Sequence, residues 1–338
     1  MTRGSRWWLL MLPVPGLVSS CAVWRVEAAV TIEQMLTLKW HYYRNSCRNA
    51  KTYVTHQVEF YWKPDKSLTP KLLRLLCHGT RKQGCDASIL LDGPNSEKVA
   101  PQNSGLEGFG TAVIDKIKEV LEQRCPSVVS CADILNLACR DAAHLAGAPS
   151  YAVLTGRRDG MSSKASVDLP SPSISWEATL AYFESKGLDV LDLATLLGAY
   201  SMGKTHCSYI TDRLYNFNNT GKPDPNMDSS FLAQMRKQCP PNSESQGDPQ
   251  VFLDPASGSS YTFSNSLYTR LLNHQAVLGV DQQLALGNDT SQIAQEFDAG
   301  FEDFRKVFAL SMNRMGNIVA LTGDQGEIRK SCRAVNGK

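Results

Sequence analysis

Histidine is scarce in this chain, with 6 residues in 338, and the charges nearly cancel, since 35 Lys and Arg face 33 Asp and Glu. The near balance of charge argues against electrostatic binding to nucleic acid. After the first thirty residues no apolar run is long enough to span a bilayer, so we expect no membrane anchorage of the mature chain. No internal repeat is present either, which argues against a repeat architecture.

The first residues carry the pattern of a secretory signal peptide. Arg3 and Arg6 precede a Trp-, Leu- and Met-rich stretch from Trp7 to Trp24, followed by the small-residue exit VEAAV. We expect cleavage after Ala28 or nearby, which leaves residues 29–338 as the mature protein with a net charge close to zero. An uncleaved anchor is the alternative, but two prolines and the shortness of the apolar run argue against it.

The mature part keeps nine cysteines, and in a secreted chain most of them should be paired. An odd number leaves at least one thiol over. Two N-glycosylation sequons, Asn218-Asn219-Thr220 and Asn288-Asp289-Thr290, fit the same extracellular compartment. The cysteines are Cys47, Cys77, Cys85, Cys125, Cys131, Cys139, Cys207, Cys239 and Cys332.

Helical spacing of apolar residues recurs through most of the chain and predicts a mainly α-helical protein with long functional loops. Thr69-Pro70 is predicted to begin one helix, and Asp189 with Asp192 another. The stretch from Pro240 to Ser260 is the most irregular, and no linker divides the chain. The helical patterns cover Val54–Trp62, Leu72–Leu76, Val113–Leu121, Ala132–Ala143, Leu188–Leu197, Phe231–Met235, Leu267–Leu272 and Phe297–Met315.

Arg74 and His78 are four residues apart on one predicted helix, so their side chains share a face. A cation and an imidazole in this arrangement can remove a proton from a bound hydroperoxide and stabilise the departing oxygen. Spacing alone is weak evidence, because an Arg and a His so placed more often belong to a solvated face.

The segment GCDASILLD places hard oxygen donors at every second residue. Gly84 offers a carbonyl, Asp86 a carboxylate and Ser88 a hydroxyl, which is the kind of set that Ca²⁺ collects, and Glu97 could complete the shell through water. If the segment stood alone, the default interpretation would be a turn into a short buried strand, Ile89–Leu91.

Further motifs follow in a fixed order: CPSVVSCADILNLACRD, GRRDG, DLPSPS, DLATLLGAYSMGKTHC, RMGNIVALTG and GEIRKSCRAVN. In order and spacing they resemble the secretory plant haem peroxidases, class III. The resemblance runs from about Cys47 to the C-terminus. It implies a helical, two-lobed fold in a single domain, with haem b between a distal and a proximal lobe and one Ca²⁺ site in each.

The resemblance also implies an activity and its residues. The family uses H₂O₂ to oxidise small phenolic donors, in oxidative stress and in cell-wall and lignin chemistry. Arg74 and His78 match its peroxide-cleaving pair, Asn103 the amide that orients the distal imidazole, and Pro170 the substrate-access position. We therefore expect a monomer secreted to the apoplast or cell wall. The family disulfides correspond to Cys47 with Cys125, Cys131 with Cys332, and Cys207 with Cys239.

The distal signature departs from the family, which reads RLxFHDCFVxGCDxS where this chain reads RLLCHGTRKQGCDAS. Cys77 replaces an aromatic residue beside the haem, Gly79 a Ca²⁺-binding aspartate and Thr80 a half-cystine. Lys82 occupies a position whose carbonyl binds the metal. Loss of the carboxylate and gain of two cations should weaken Ca²⁺ binding. A misassigned exon boundary in the gene model is another explanation, because it would also replace a short segment without changing its length.

On the proximal side the family histidine that ligates haem iron is Tyr200 here, while its aspartate partner survives as Asp281. Tyrosine can ligate haem iron as phenolate, but Asp281 would then meet a second negative charge. An aromatic plug in a degenerate cavity is the equal alternative. His206 is a poor substitute, because six positions along a helix place it on another face.

The second Ca²⁺ site of the family has also lost ligands in this chain. Ser201 keeps the hydroxyl of the family threonine, Asp254 stands for one aspartate, and the second aspartate has become Ser264. Cys77, Cys85 and Cys139 remain outside the family pairs, and we expect thiols, although a Cys77–Cys85 bridge stays open.

Two hypotheses follow. The first is a haem peroxidase with Arg74 and His78 as the peroxide-cleaving pair and Tyr200 as an altered axial ligand. The second is a catalytically inactive secreted protein that keeps the scaffold for binding or structure.

Overall fold

The computed structural model describes residues 38–79, 84–103, 106, 108–165, 171, 174–243, 245, 247–254 and 261–337. The predicted signal peptide, residues 1–28, lies outside the described residues. As expected, the chain is mainly helical. Its α-helices are α1 Ala50–Trp62, α2 Leu68–Gly79, α3 Phe109–Arg124, α4 Cys131–Leu145, α5 Trp176–Glu184, α6 Val190–Gly198, α7 Thr211–Tyr215, α8 Ser229–Gln238, α9 Ser266–Leu272, α10 Gly279–Gln282, α11 Asn288–Ala299 and α12 Phe301–Gly316.

Short elements connect these helices. Two three-residue strands, β1 Lys204–His206 and β2 Gln250–Phe252, pair antiparallel with Thr205 opposite Val251. Within the described ranges there are also 3₁₀ turns, at Tyr42–Arg44, Ser88–Leu90, Glu97–Val99, Pro101–Asn103, Ala199–Ser201, Cys207–Tyr209, Phe217–Asn219 and Gln283–Ala285.

Helices α1 to α4 form the half that carries the predicted distal residues, here called the distal half. Helix α4 lies at its centre and contacts α1, α2 and α3. Every residue from Cys131 to Ala143 is buried, and Ser130 caps the helix by accepting a bond from Asp133 N at 3.1 Å. Helix α2 turns its leucines, such as Leu72 and Leu76, towards this core and leaves another face for the site.

Helices α5 to α12 form the proximal half. Helix α6 begins with a capping box in which Asp189 accepts from Asp192 N and Asp192 accepts from Asp189 N, as the sequence predicts. Helices α11 and α12 pack on α6. One hydrophobic core includes residues from both halves, and a second cluster surrounds Cys207 and Cys239.

Three disulfides join Cys47 to Cys125, Cys131 to Cys332 and Cys207 to Cys239, which confirms the pairing implied by the family resemblance. Cys77, Cys85 and Cys139 are thiols, as expected. The bridge from Cys131 to Cys332 spans 201 residues of sequence and ties the start of α4 to the C-terminal segment.

Two local predictions were wrong. The helical pattern Phe297–Met315 is two helices, because the backbone turns at Gly300, where φ is −127° and ψ is 83°. Helix α2 begins at Leu68, before Thr69-Pro70, and the Thr69 hydroxyl instead donates to the Ala142 carbonyl in the core. The alternative interpretation of Ile89–Leu91 as a strand is not realised, because Ser88–Leu90 is a 3₁₀ turn, and the short strand β2 lies within the irregular stretch after Pro240.

Candidate active site

A cavity of about 550 Å³ lies between the two halves. Leu73, Arg74 and His78 of α2 line one wall. The opposite wall is formed by residues around the end of α6 and by Asp281 of α10. The volume lies in the range of small-molecule and cofactor sites, which are typically about 300–1,000 Å³. The structure thus brings Arg74 and His78 of the predicted distal set and Asp281 of the predicted proximal set to one cavity.

Helix α2 positions the distal pair. Its apolar residues face α4, so the i, i+4 pair of Arg74 and His78 falls on the face towards the cavity. His78 is buried, with 7% of its surface exposed, whereas Arg74 is half-buried. A base and a cation therefore meet at the same wall.

A chain of hydrogen bonds fixes the His78 ring. The Asn103 amide nitrogen donates to the Glu97 carbonyl at 2.7 Å, which orients the Asn103 carbonyl oxygen towards His78. That oxygen lies 2.7 Å from His78 Nδ1. Nδ1 must therefore carry the proton, and Nε2 is left with a lone pair. This tautomer makes His78 a base.

The proximal wall follows α6 through the 3₁₀ turn Ala199–Ser201. Ala199 lines the cavity, and the backbone of Tyr200 comes directly after it, but the Tyr200 side chain lies outside the part of the chain that the structure describes. Asp281 is 1% exposed and its Oδ1 has no hydrogen-bond partner among the described residues. Burial raises the pKa of Asp281 to about 7, although the Arg213 guanidinium lowers it.

His206 is a residue that sequence reasoning placed wrongly. The chain leaves the helix after Ser201 and His206 belongs to β1, so the argument from helical faces does not apply. Its side chain lines the cavity, with Nδ1 2.9 Å from the Asp248 carbonyl and Nε2 2.9 Å from the amide nitrogen of Gln250. Only the strand pairing of β1 with β2 brings these residues together, and no sequence signal predicted it.

The distal oxygen-donor segment has a compact arrangement of its own. Asp86 Oδ1 accepts from Ser88 N at 2.9 Å, and the Ser88 hydroxyl donates to Glu97 at 2.8 Å. Burial raises the pKa of Asp86. Lys82 lies outside the described residues. Gly84 has φ of +84°, and a Cβ there would meet the Val319 carbonyl oxygen at 2.0 Å, so the position requires glycine.

At the second predicted Ca²⁺ site, Asp254 is paired with a cation of the chain itself. Asp254 Oδ1 lies 2.7 Å from both Nε and one terminal nitrogen of Arg270, and both residues are buried. The Ser264 hydroxyl lies 2.8 Å from that of Ser266, while the buried Ser201 hydroxyl has no partner among the described residues. In this arrangement a guanidinium already neutralises the Asp254 carboxylate. The described residues do not contain a group of three His, Cys, Asp or Glu side chains that could hold a metal.

Comparison with known proteins decides the family. The peroxidase family model matches residues 54–300. The chain belongs to the peroxidase family. It is 62% identical to probable peroxidase 26 of Arabidopsis thaliana over 314 residues, which cover 92% of this chain and 93% of that protein. It is 60% identical to probable peroxidase 61 of the same plant over 332 residues, 97% of this chain and 96% of that protein.

A more distant relative is also a peroxidase. A peroxidase of Armoracia rusticana is 39% identical over 305 residues, covering 87% of this chain and 90% of that protein. The chain is thus a haem peroxidase, an oxidoreductase that uses H₂O₂ and a reducing substrate. Within the described ranges, no helix is both long and apolar enough to cross a membrane.

The cavity fits a haem. Leu196, Leu197 and Leu253 give it apolar walls suited to a macrocycle, and His78 and Asp281 also line it; Oδ1 of Asp281 has no partner among the described residues. A buried carboxylate oxygen without a partner costs free energy, so its retention at this wall indicates that a bound group completes it.

Proposed function

We propose that peroxide is cleaved in this cavity by Arg74 and His78, and that Asn103 holds His78 in the required tautomer. The observation that carries the proposal is the 2.7 Å contact between His78 Nδ1 and Asn103 Oδ1. It leaves Nε2 as a proton acceptor at the wall of the cavity that Arg74 also lines. The i, i+4 spacing of Arg74 and His78 does not determine the tautomer of His78, whereas the contact with Asn103 does.

The proton moves through His78. Nε2 removes a proton from the bound peroxide and returns it to the departing oxygen, which leaves as water. The Arg74 guanidinium stabilises the negative charge that develops on that oxygen. Haem, when bound, supplies the redox centre that the peroxide oxidises and the donor reduces.

Tyr200 is the residue we propose as the fifth iron ligand. The supporting observations are its backbone position next to the cavity-lining Ala199 and the Asp281 Oδ1 in the same cavity, which has no partner among the residues that the structure describes. Tyrosine has precedent as a haem ligand. A plug without haem remains the rival interpretation, and it predicts an inactive protein.

The donors we propose are small phenols. Aromatic side chains line the cavity, namely Tyr182, Phe183 and Tyr209, and offer stacking surfaces for a phenol ring. Pro170, the proposed substrate-access residue, lies outside the described residues. By the same family reasoning we propose haem b as the cofactor, residues 29–338 as a single domain, and a monomer secreted to the apoplast, where it acts in oxidative stress and cell-wall chemistry.

The experiment is an absorption spectrum after expression with haem, followed by guaiacol turnover with H₂O₂. We expect a Soret band with a high-spin, phenolate-type spectrum, and turnover that depends on His78. Absence of a Soret band would end the proposal in favour of the inactive scaffold. Tyr200→His tests the proximal assignment separately, because an axial imidazole should change the spectrum and raise turnover; an unchanged spectrum would show that residue 200 is not the ligand.

A further inference from the structure

Cys77 places a sulfur atom in the peroxide cavity. It lies on α2 between Arg74 and His78 and lines the same cavity as both. It is half-buried, and its Sγ is 3.6 Å from the Sδ of Met315, which also lines the cavity. The peroxide mechanism above assigns no role to this thiol.

The other two thiols among the described residues, Cys85 and Cys139, are in a different environment. Cys85 and Cys139 are fully buried and do not line the cavity. Burial raises the pKa of the Cys85 thiol to about 12 and that of Cys139 well above its ordinary value. Buried thiols of this kind are inert, whereas reactive ones are partly exposed and lie near positive charge. Cys77 meets both conditions, because Arg74 is one helical turn before it.

We propose that Cys77 is a second peroxide-reactive group, a thiol that reduces a hydroperoxide in this cavity without haem. The Cys77 proton passes to His78 Nε2, and the thiolate sulfur attacks one peroxide oxygen. An S–O bond forms and the O–O bond breaks; the other oxygen leaves and takes the proton back from His78, which yields water. The sulfur is oxidised by two electrons to a sulfenic acid, and the peroxide is reduced by the same two electrons.

Three features of the cavity support this chemistry. Arg74 favours the thiolate and the developing hydroxide, as it favours the departing oxygen in the haem reaction. The contact with Asn103 keeps Nε2 of His78 able to accept the thiol proton. The buried Oδ1 of Asp281, which has no partner among the described residues, indicates that the cavity holds a ligand. The inference rests on the proposed function only in that peroxide enters this cavity.

The test uses the protein as isolated, in preparations of low and of full haem content. Each is treated with equimolar H₂O₂ and then with dimedone, which labels sulfenic acids, and the labelled cysteine is identified by mass spectrometry. We expect dimedone on Cys77 in both preparations and none on Cys85 or Cys139. Cys77→Ser should abolish the label, Arg74→Gln should slow labelling at least tenfold, and Cys139→Ala, the matched control, should leave it unchanged.

Equal labelling of all three cysteines would overturn the proposal, and so would labelling of Cys77 no faster than that of free cysteine. The two proposals fail separately. A protein without a Soret band that still labels at Cys77 refutes the haem assignment alone, whereas normal guaiacol turnover without label refutes the thiol reaction alone. Circular dichroism of Arg74→Gln checks that a slower reaction does not come from unfolding.

Discussion

Replacing Asn103 by alanine tests whether the hydrogen bond to His78 sets the peroxide reaction. The side chain is 1% exposed and makes two bonds of 2.7 Å, one from His78 Nδ1 and one to the Glu97 carbonyl. In Asn103→Ala the buried Nδ1–H loses its acceptor, which costs about 1–3 kcal/mol. Part of the His78 population then adopts the other tautomer or turns, and its Nε2 no longer accepts a proton.

If that free energy is lost from the transition state, the rate constant for reaction with H₂O₂ falls by a factor between about 5 and about 160, since 1.36 kcal/mol corresponds to a factor of ten. Stopped-flow absorption of the haem-loaded protein measures it. Asn136→Ala is the matched control, because Asn136 is also buried and its amide donates to the Ala132 carbonyl at 2.9 Å inside α4, away from His78.

Both variants should lose stability to a similar extent, but only Asn103→Ala should slow the reaction. A rate constant within twofold of the parent in Asn103→Ala, with normal haem loading, would refute the claim that this contact controls the tautomer of His78.

Three further predictions concern stability. Burial raises the pKa of Asp281 to about 7, so between about pH 4 and 7 the haem-free folded state holds a proton that the unfolded chain has released. The free energy of unfolding should therefore fall by on the order of 4 kcal/mol as pH rises from about 4 to 7. In urea titrations Asp281→Asn should flatten this dependence on pH. Asp254→Asn should cost about 3–5 kcal/mol of unfolding free energy in urea titrations, because it leaves the buried Arg270 charge unpaired; an unchanged midpoint would contradict the assignment of Asp254 to Arg270. Joint replacement of Cys131 and Cys332 by serine should cost about 5 kcal/mol, because the closed loop is so long, and an unchanged midpoint in denaturant would count against this reasoning.

The sequence predicted best what depends on neighbours along the chain. The capping box of Asp189 and Asp192 involves residues three apart, and the shared face of Arg74 and His78 involves residues four apart, so both follow from helix geometry. The helical class followed from periodicity for the same reason. The break at Gly300 was missed because the apolar spacing continues across it while the backbone does not.

Pairings between distant segments were not predictable in this way. Asp254 appears in the sequence as a calcium ligand, but the fold brings the Arg270 guanidinium onto it from α9. His206 was assigned to a helix, yet its position depends on pairing with Gln250, 44 residues later. Such contacts depend on tertiary packing, and local patterns contain no record of them.

The C-terminal segment has a consequence for biosynthesis. Cys332 is bound to Cys131, the Arg329 backbone N–H donates to Asp159, and the Arg333 side chain donates to Asp115. In the folded protein Asp159 also accepts from the first backbone amides of α4 and is fully buried. During synthesis it therefore lacks one of its hydrogen-bond donors until residue 329 has been added. The start of α4 cannot be completed before then, and the Cys131–Cys332 bridge can form only afterwards.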